Sequence, residues 1–287
     1  MELNFLSNDI VSQIKSFIDD KRNEDKIKTK YPNALLREDI FSMLDEYCTV
    51  VYFPLENETI NGFHITGIVD VCGKENTFVY INTAQTIEKQ VFTAAHELGH
   101  IWGIDELISS NITTTLSFDE KEKITNRFAA ELLMPEQIFH TTCIAEFERY
   151  KESEGTITIF NLLKSVATLM TNFFVPYKAV IHRIAELKII TEDTANMLLG
   201  NTVIPYVEIT QLIDKHLRDI GYSKFLEPTR KCWIDGLSEL LDRAQRQGAV
   251  SENKIKHLRS LFNLPDNSHI SDNLDKKLNI SLTGDDE

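Results

Sequence analysis

Cysteine is scarce in this sequence, and the four residues that occur are not arranged in pairs. Cys48, Cys72, Cys143 and Cys232 lie far apart, and no CxxC motif joins any two of them. This spacing argues against a disulfide framework and against a cysteine-based zinc knuckle. We therefore predict that the cysteines are small buried apolar residues of a protein in a reducing compartment.

Positive charge and long apolar runs are also in short supply. The 287 residues include 44 Asp and Glu but only 30 Lys and Arg, which gives a formal net charge of −14. Such a charge opposes sequence-independent attraction to nucleic-acid phosphates or anionic lipids. No segment approaches the run of about 18 apolar residues that a membrane helix needs, and no basic leader precedes an apolar core. These absences predict a cytoplasmic protein without direct nucleic-acid or membrane contacts.

Hydrophobic periodicity predicts mixed helix and sheet before residue 86 and mainly helix after it. The β-branched and aromatic run Thr49–Phe53 and the pair HITGIVDVCG and TFVYIN are typical of strands, and TFVYIN could be the sheet edge that pairs with an extended peptide. The charged run KRNEDKIKTK is predicted to be a solvated loop. Helices are predicted over 7–20, 35–46, 86–102, 119–134, 156–199 with a turn near 174–176, and 206–263 with breaks near 221, 228 and 248.

The segment His96–His100, with the sequence HELGH, carries the strongest chemical signal. Residues four apart on a helix share a face, so His96 and His100 can direct ring nitrogens at one metal ion. Glu97 lies beside them and can accept a proton from a water that the metal activates. A chain with 8 histidines contains HExxH by chance with a probability on the order of a few per cent, so the surroundings of the motif must decide its meaning. Gly99 inside this helix suggests that another element packs closely there.

A catalytic zinc site needs a third protein ligand besides the two histidines. One candidate is Glu106, which takes the last position of an HExxHxxGxxH pattern, with Gly103 allowing the chain to turn back. The other candidates lie on the later helix, where Glu120, Glu122 and Glu131 are available.

Helix geometry favours Glu122 among these candidates. At 100° per residue, Glu122, Asn126 and Ala129 fall within about 60° of one another, away from a bulky apolar stripe that includes Phe128. A carboxylate and an amide beside a small residue could lie close to the HELGH helix. Glu122 would then bind the metal, and Asn126 would support the site from behind. Glu131 points the opposite way.

HELGH followed by EKITNRFAAELLMP resembles the ImmA/IrrE family of zinc metallopeptidases, in which HExxH precedes a helix of the form ExxxNxFAAxLLMP. The resemblance covers about residues 30 to 195. It implies one Zn²⁺ per chain with His96, His100 and Glu122 as ligands and Glu97 as the catalytic base. Ile124 and Thr125 depart from the polar residue and alanine that are common at these positions.

The resemblance also implies a fold of the α+β class, namely a zincin-like metallopeptidase domain whose small sheet packs on the metal-binding helix, followed by additional helices. We predict four regions along the chain. They are an N-terminal helix and charged loop at 1–30, the zincin-like catalytic core at 31–150, a helical follow-on that resembles a helix-turn-helix at 151–200, and an accessory helical region with a disordered tail at 201–287.

The function expected from the resemblance is intracellular, zinc-dependent cleavage of a peptide bond in a protein substrate, for example a DNA-binding repressor. Tyr177 is a candidate donor to the oxyanion, although a half-buried structural tyrosine is the stronger interpretation. The alternative function is a zincin-like regulatory or binding module without significant proteolysis. In the helix-turn-helix-like segment only Lys164, Lys178 and Arg183 are basic, which favours packing or partner recognition over DNA reading.

Overall fold

A computed structural model describes residues 5–57, 59–69, 75–112, 115–152, 155–200 and 206–265 of the chain. They fall into two units, Met1–Lys231 and Cys232–Glu287. The fold is of the mixed α+β class, as the sequence predicts. Residues 201–205, where the accessory region was predicted to begin, lie outside the described residues, and the first unit continues to Lys231.

Three short helices open the first unit: α1 (Asn8–Asn23), α2 (Asp25–Lys30) and α3 (Asp39–Asp45). The prediction that KRNEDKIKTK forms a loop was wrong, because α1 extends into this run and α2 occupies the rest of it. Ile27 explains the difference, since its side chain is buried in the core. One buried apolar residue fixes the inner face of α2, while its charged residues cover the outer face.

Three strands build the sheet of the first unit: β1 (Thr49–Phe53), β2 (Gly62–Val69) and β3 (Glu75–Asn82). β3 lies in the middle, antiparallel to β2 on one side and parallel to β1 on the other. The hypothesis that TFVYIN is an edge strand was therefore wrong, because β1 pairs with the side of β3 that the hypothesis left open. Within the first unit, β2 is the edge strand, and it lies beside the helix that carries HELGH.

Four helices follow the sheet: α4 (Ile87–Trp102), α5 (Ile104–Asn111), α6 (Phe118–Leu133) and α7 (Glu136–Tyr150). The predicted helices at 86–102 and 119–134 are confirmed to within one residue at each end. The sequence analysis missed α5 and α7. Both begin at a break, α5 after Gly103 in the left-handed conformation (φ 77°) and α7 after Pro135, so the residues that end one helix also redirect the chain into the next.

The first unit continues with α8 (Ile159–Phe173), α9 (Tyr177–Glu186), α10 (Glu192–Leu198), α11 (Tyr206–Asp219) and a single turn of 3₁₀ helix at Ser223–Phe225. The predicted turn near 174–176 is confirmed, with Phe174 in the left-handed conformation. Among the described residues, no single helix has both the length and the apolar character of a membrane span. α8 and α9 meet that criterion only as a pair, and they are bent by 104°.

A cluster of buried ion pairs joins α6 to α9. The side chain of Arg183 is fully buried, and its Nη2 donates to Glu131 Oε2 at 2.7 Å while its Nη1 donates to Glu186 Oε2 at 2.8 Å. Arg127 Nη2 donates to the same Glu131 oxygen at 2.8 Å. Burial alone would raise the pKa of Glu131, but the two arginines hold it below its usual value. Arg183 is therefore a packing residue and is not exposed to a nucleic-acid phosphate.

The described cysteines agree in part with their predicted role. Cys143 is fully buried, and burial raises the pKa of its thiol to about 12. Cys48 is half-buried, and its thiol, whose pKa burial also raises to about 12, donates to the Leu44 carbonyl oxygen. Cys48 and Cys143 form no disulfide, and Cys72 lies outside the described residues.

The second unit contains β4 (Trp233–Ile234) and the helices α12 (Leu237–Arg246) and α13 (Glu252–Leu261). Leu241 and Ile255 are buried between its elements. Arg259 is also buried and binds the Asp242 carboxylate and the Pro265 carbonyl oxygen. The predicted disordered tail lies outside the described residues.

Replacing Arg183 with alanine should lower the free energy of unfolding by about 3–5 kcal/mol, because it removes one partner of a buried ion pair and leaves Glu131 with less compensation. Lys151→Ala is the control. Its exposed pair with Glu148 should contribute about 0–1 kcal/mol. Urea unfolding followed by circular dichroism measures both values, and equal losses in the two variants would contradict the assignment of Arg183 as a buried anchor.

Candidate metal centre

α4 places two histidines on one face, as the HELGH spacing predicts. Its opposite side is apolar and buried, with Val91, Ala95 and Leu98 fully inside the core, and this burial fixes the rotation of the helix about its axis. His96 and His100 are one turn apart, and their Nε2 atoms lie 3.1 Å from each other. Their side chains are 14% and 11% exposed, so the site is accessible without being open to bulk water on all sides.

The three glutamates of α6 take three different positions. Glu120 caps the helix, because its carboxylate accepts from the Ser117 backbone N–H while the Ser117 hydroxyl accepts from the Glu120 N–H. Glu131 lies in the buried ion cluster. Glu122 alone of the three points to the histidines, with Oε2 3.3 Å from His96 Nε2 and Oε1 3.4 Å from His100 Nε2.

Gly99 lets α4 and α6 approach closely enough for this contact. A Cβ atom at Gly99 would lie 2.8 Å from Phe128 Cδ1 and 2.9 Å from Thr125 Cγ2, well inside ordinary van der Waals separation. The close packing that the sequence suggested at this glycine is therefore present. Thr125, which departs from the family pattern, is one of the two residues that fill the crossing.

The two histidine nitrogens face each other, and each of them also faces a different oxygen of Glu122. Histidine and glutamate donors in a tetrahedral site, with bonds of about 2.0–2.1 Å, lie about 3.3–3.4 Å apart. The two Nε2 atoms are 3.1 Å apart, and each lies 3.3 or 3.4 Å from one of the two Glu122 oxygens, which is close to that requirement. Among the described residues, His96, His100 and Glu122 form the group of three potential ligands whose donor atoms come together.

The protonation states also suit metal binding, which needs neutral histidines and an ionised carboxylate. Burial lowers the pKa of His100, and the neighbouring His96 lowers it further, so the ring is neutral at pH 7. Contact with the His96 ring lowers the pKa of Glu122, so its carboxylate is charged.

Two polar side chains support the histidines from behind. His96 Nδ1 lies 3.0 Å from Asn126 Oδ1, and because an amide oxygen only accepts, Nδ1 carries the proton and leaves Nε2 free to bind a metal. The supporting position predicted for Asn126 is the one that it occupies. His100 Nδ1 lies 3.8 Å from Asp105 Oδ1. The sequence analysis missed Asp105, although it is adjacent to Glu106.

Glu97 is 4% exposed, and its carboxylate contacts a histidine that the sequence analysis did not place in the site. His64, on β2, places Nδ1 2.8 Å from Glu97 Oε2. The His64 ring also stacks against the His100 ring, with centroids 4.8 Å apart and an interplanar angle of 35°. The hydrogen bond to Glu97 raises the pKa of His64. A histidine on the strand pair before HELGH was the available signal.

The two remaining candidates lie elsewhere. Glu106 is exposed on α5 and is not part of the donor group. Tyr177 is buried at the start of α9, where its hydroxyl donates to the Leu198 carbonyl oxygen at 3.0 Å. This buried hydrogen bond supports the interpretation of Tyr177 as a structural residue rather than as a donor to the oxyanion.

Replacing Gly99 with alanine should weaken metal retention and destabilise the fold. Overpacking at the helix crossing costs about 1–3 kcal/mol, which exceeds the gain of about 1 kcal/mol from higher helix propensity. Gly99→Ala combined with Phe128→Leu, which makes room for the new methyl group, should lose less than the sum of the single variants. Urea unfolding and metal content measure both effects. If the losses of the two single variants simply added in the double variant, the close contact between Gly99 and Phe128 would be contradicted.

Metal content separates the two candidate third ligands. Purified wild-type protein should retain about one metal ion per chain after dialysis, as should Glu106→Ala. His96→Ala and Glu122→Ala should each retain much less, because two donors hold a divalent ion more weakly than three. Elemental analysis by mass spectrometry measures the stoichiometry, and loss of metal in Glu106→Ala with retention in Glu122→Ala would reverse the assignment.

Comparison with known proteins identifies the domain that carries this centre. Residues 45–185 match the model of the Peptidase_M78 family, described as the IrrE N-terminal-like domain. None of the curated proteins compared matches the chain. Among solved structures, a Mycobacterium tuberculosis transcriptional regulator is similar at 17% identity, with a TM-score of 0.40 over 63% of this chain and 48% of that one, so the chain spans about half of its length. The match over residues 45–185 includes the three strands of the first unit and both helices of the candidate metal centre, and this part of the chain belongs to the ImmA/IrrE family.

Proposed function

We propose that this protein is a zinc-dependent metalloendopeptidase with a zincin-like catalytic site. The observation that carries the proposal is the convergence of potential metal-binding atoms from His96, His100 and Glu122, with the Glu97 carboxylate on the helix that carries both histidines. Two histidines and a carboxylate leave the fourth position of a tetrahedral zinc open, which distinguishes a catalytic site from a closed structural one.

His96, His100 and Glu122 would hold the zinc ion through the atoms that already face one another. When bound, zinc supplies Lewis acidity, which lowers the pKa of water and polarises a carbonyl group. Asn126 keeps the His96 ring in the tautomer whose Nε2 can bind.

Glu97 is the proton carrier of the proposed reaction. Its carboxylate is buried and directly follows the first ligand on α4. One of its oxygens accepts the proton of the attacking water, and the resulting carboxylic acid then delivers that proton to the nitrogen of the leaving amine. The carboxylate is thereby restored at the end of each cycle.

β2 is the proposed docking strand for an extended substrate segment. It hydrogen-bonds to β3 along one side, and no strand of the described part of the first unit pairs with its other side. His64, in the middle of β2, already contacts Glu97. A peptide that adds to this edge would therefore pass beside the catalytic glutamate. Phe63 and Ile65 are 44% and 46% exposed and flank His64 along β2. They would contact the side chains of the docked peptide.

The proposed substrate is a regulatory protein, for example a DNA-binding repressor cut at one site. The family resemblance supports this choice. The net charge of −14 and the burial of Arg183 favour action on the protein rather than on its nucleic acid.

Cleavage of cellular proteins tests the proposal on many candidate substrates at once. Zinc-loaded wild type, Glu97→Gln and the control Glu106→Gln are incubated with a bacterial lysate and with a peptide library prepared from it, and new N-termini are identified by mass spectrometry. Wild type and Glu106→Gln should produce the same cleavages. Glu97→Gln should produce at least about 100-fold less, because it lacks the proton acceptor, while retaining its metal. Equal cleavage by Glu97→Gln, or none by wild type, would contradict the proposal.

A further inference from the structure

The proposed metal ligands do not determine the orientation of the Glu97 carboxylate. Its side chain has several rotatable bonds and is only 5% exposed, and a buried carboxylate without partners is costly. For proton transfer, its oxygens must stay within hydrogen-bond reach of the attacking water. α4 fixes the backbone of Glu97, but the direction of its carboxylate needs a second contact.

His64 supplies that contact from a different element. Nδ1 of its ring lies 2.8 Å from Glu97 Oε2. The ring also packs against the His100 ring at a tilt of 35°. The imidazole is therefore held between a ligand residue and the catalytic glutamate. Its side chain remains 33% exposed, so it lies at the mouth of the site rather than in the core.

The approach of β2 to α4 is built into the sequence. Gly62 precedes His64 by two residues and therefore lies on the same face of β2. A Cβ atom at Gly62 would lie 2.5 Å from Thr93 Cγ2 and 2.6 Å from the Tyr80 carbonyl oxygen. Only glycine allows the strand to pass this close to the metal-binding helix, and this proximity brings His64 within reach of Glu97.

We propose that His64 is a positioning residue for Glu97: its Nδ1–H donates to Glu97 Oε2 and holds the other carboxylate oxygen toward the attacking water. The proposal rests on the metallopeptidase function proposed above. It gives β2 two tasks, because the strand that would bind the substrate backbone also carries the residue that orients the proton acceptor. His64 itself forms no bond to the metal in this role, so its removal should leave metal binding intact.

Three substitutions of His64 separate this role from others. The change His64→Asn would place an amide nitrogen near the position of Nδ1, His64→Gln would place it near that of Nε2, and His64→Ala would remove the donor altogether. If Nδ1–H is the group that matters, His64→Asn should restore function that His64→Ala loses, and His64→Gln should not. A fluorogenic peptide carrying a cleavage site found in the lysate experiment is the substrate.

His64→Ala should lower kcat by about 10- to 100-fold, as is usual for residues that orient a catalytic group, with KM within about twofold of wild type. His64→Asn should recover most of the loss. On a Glu97→Gln background, His64→Ala should cause little further loss, because the group that it orients is already disabled. All variants should retain about one metal ion per chain.

A second measurement does not depend on activity or on metal. In the metal-free full chain labelled with ¹⁵N-histidine, the His64 ring should show a proton on Nδ1, and Glu97→Ala should shift that signal more than Glu106→Ala does. Loss of metal in His64→Ala, equal kcat in His64→Ala and wild type, or equal activities of the alanine and asparagine variants would overturn the positioning role. Failure of wild type to cleave any peptide is a different result, which overturns the proposed function itself.

Discussion

The close crossing of α4 and α6 at Gly99 is the constraint on which the rest of the site depends. A side chain there would collide with Phe128 and Thr125, and the helices would separate. The proposed third ligand, Glu122, comes from α6, whereas both histidines come from α4. Donor atoms 3.3–3.4 Å apart therefore require that these two helices pack without a spacer.

Other contacts keep α6 in the orientation that this crossing needs. At its start, Ser117 and Glu120 satisfy each other's backbone groups. Near its end, Glu131 is held by Arg183 of α9. Glu120 and Glu131 are thus both engaged in contacts that fix α6. Glu122, which lies between them in the sequence, faces the two histidines. α9 therefore contributes to the candidate centre indirectly, because its Arg183 holds the helix that carries Glu122.

The spacing of residues along a helix was sufficient to predict much of the candidate centre. Contacts between residues that lie far apart along the chain could not be predicted from the sequence. HELGH and the face shared by Glu122 and Asn126 follow from helix periodicity alone. His64 was missed because its partner is 33 residues away along the chain, and one histidine on a strand carries no periodic signal. The edge strand was misassigned because β1 pairs with β3 in parallel, a contact that neighbouring sequence does not encode. α2 was missed because one buried isoleucine outweighs a run of charged residues.

The central claim is that one metal ion joins α4 to α6 beside the Glu97 carboxylate. The most direct measurement is a crystal structure of the zinc-loaded protein with anomalous diffraction data collected at the zinc edge. The account predicts one anomalous peak, about 2.0–2.2 Å from Nε2 of His96, Nε2 of His100 and a carboxylate oxygen of Glu122. A peak that is coordinated by Glu106 in place of Glu122, or that lies away from both histidines, would contradict it.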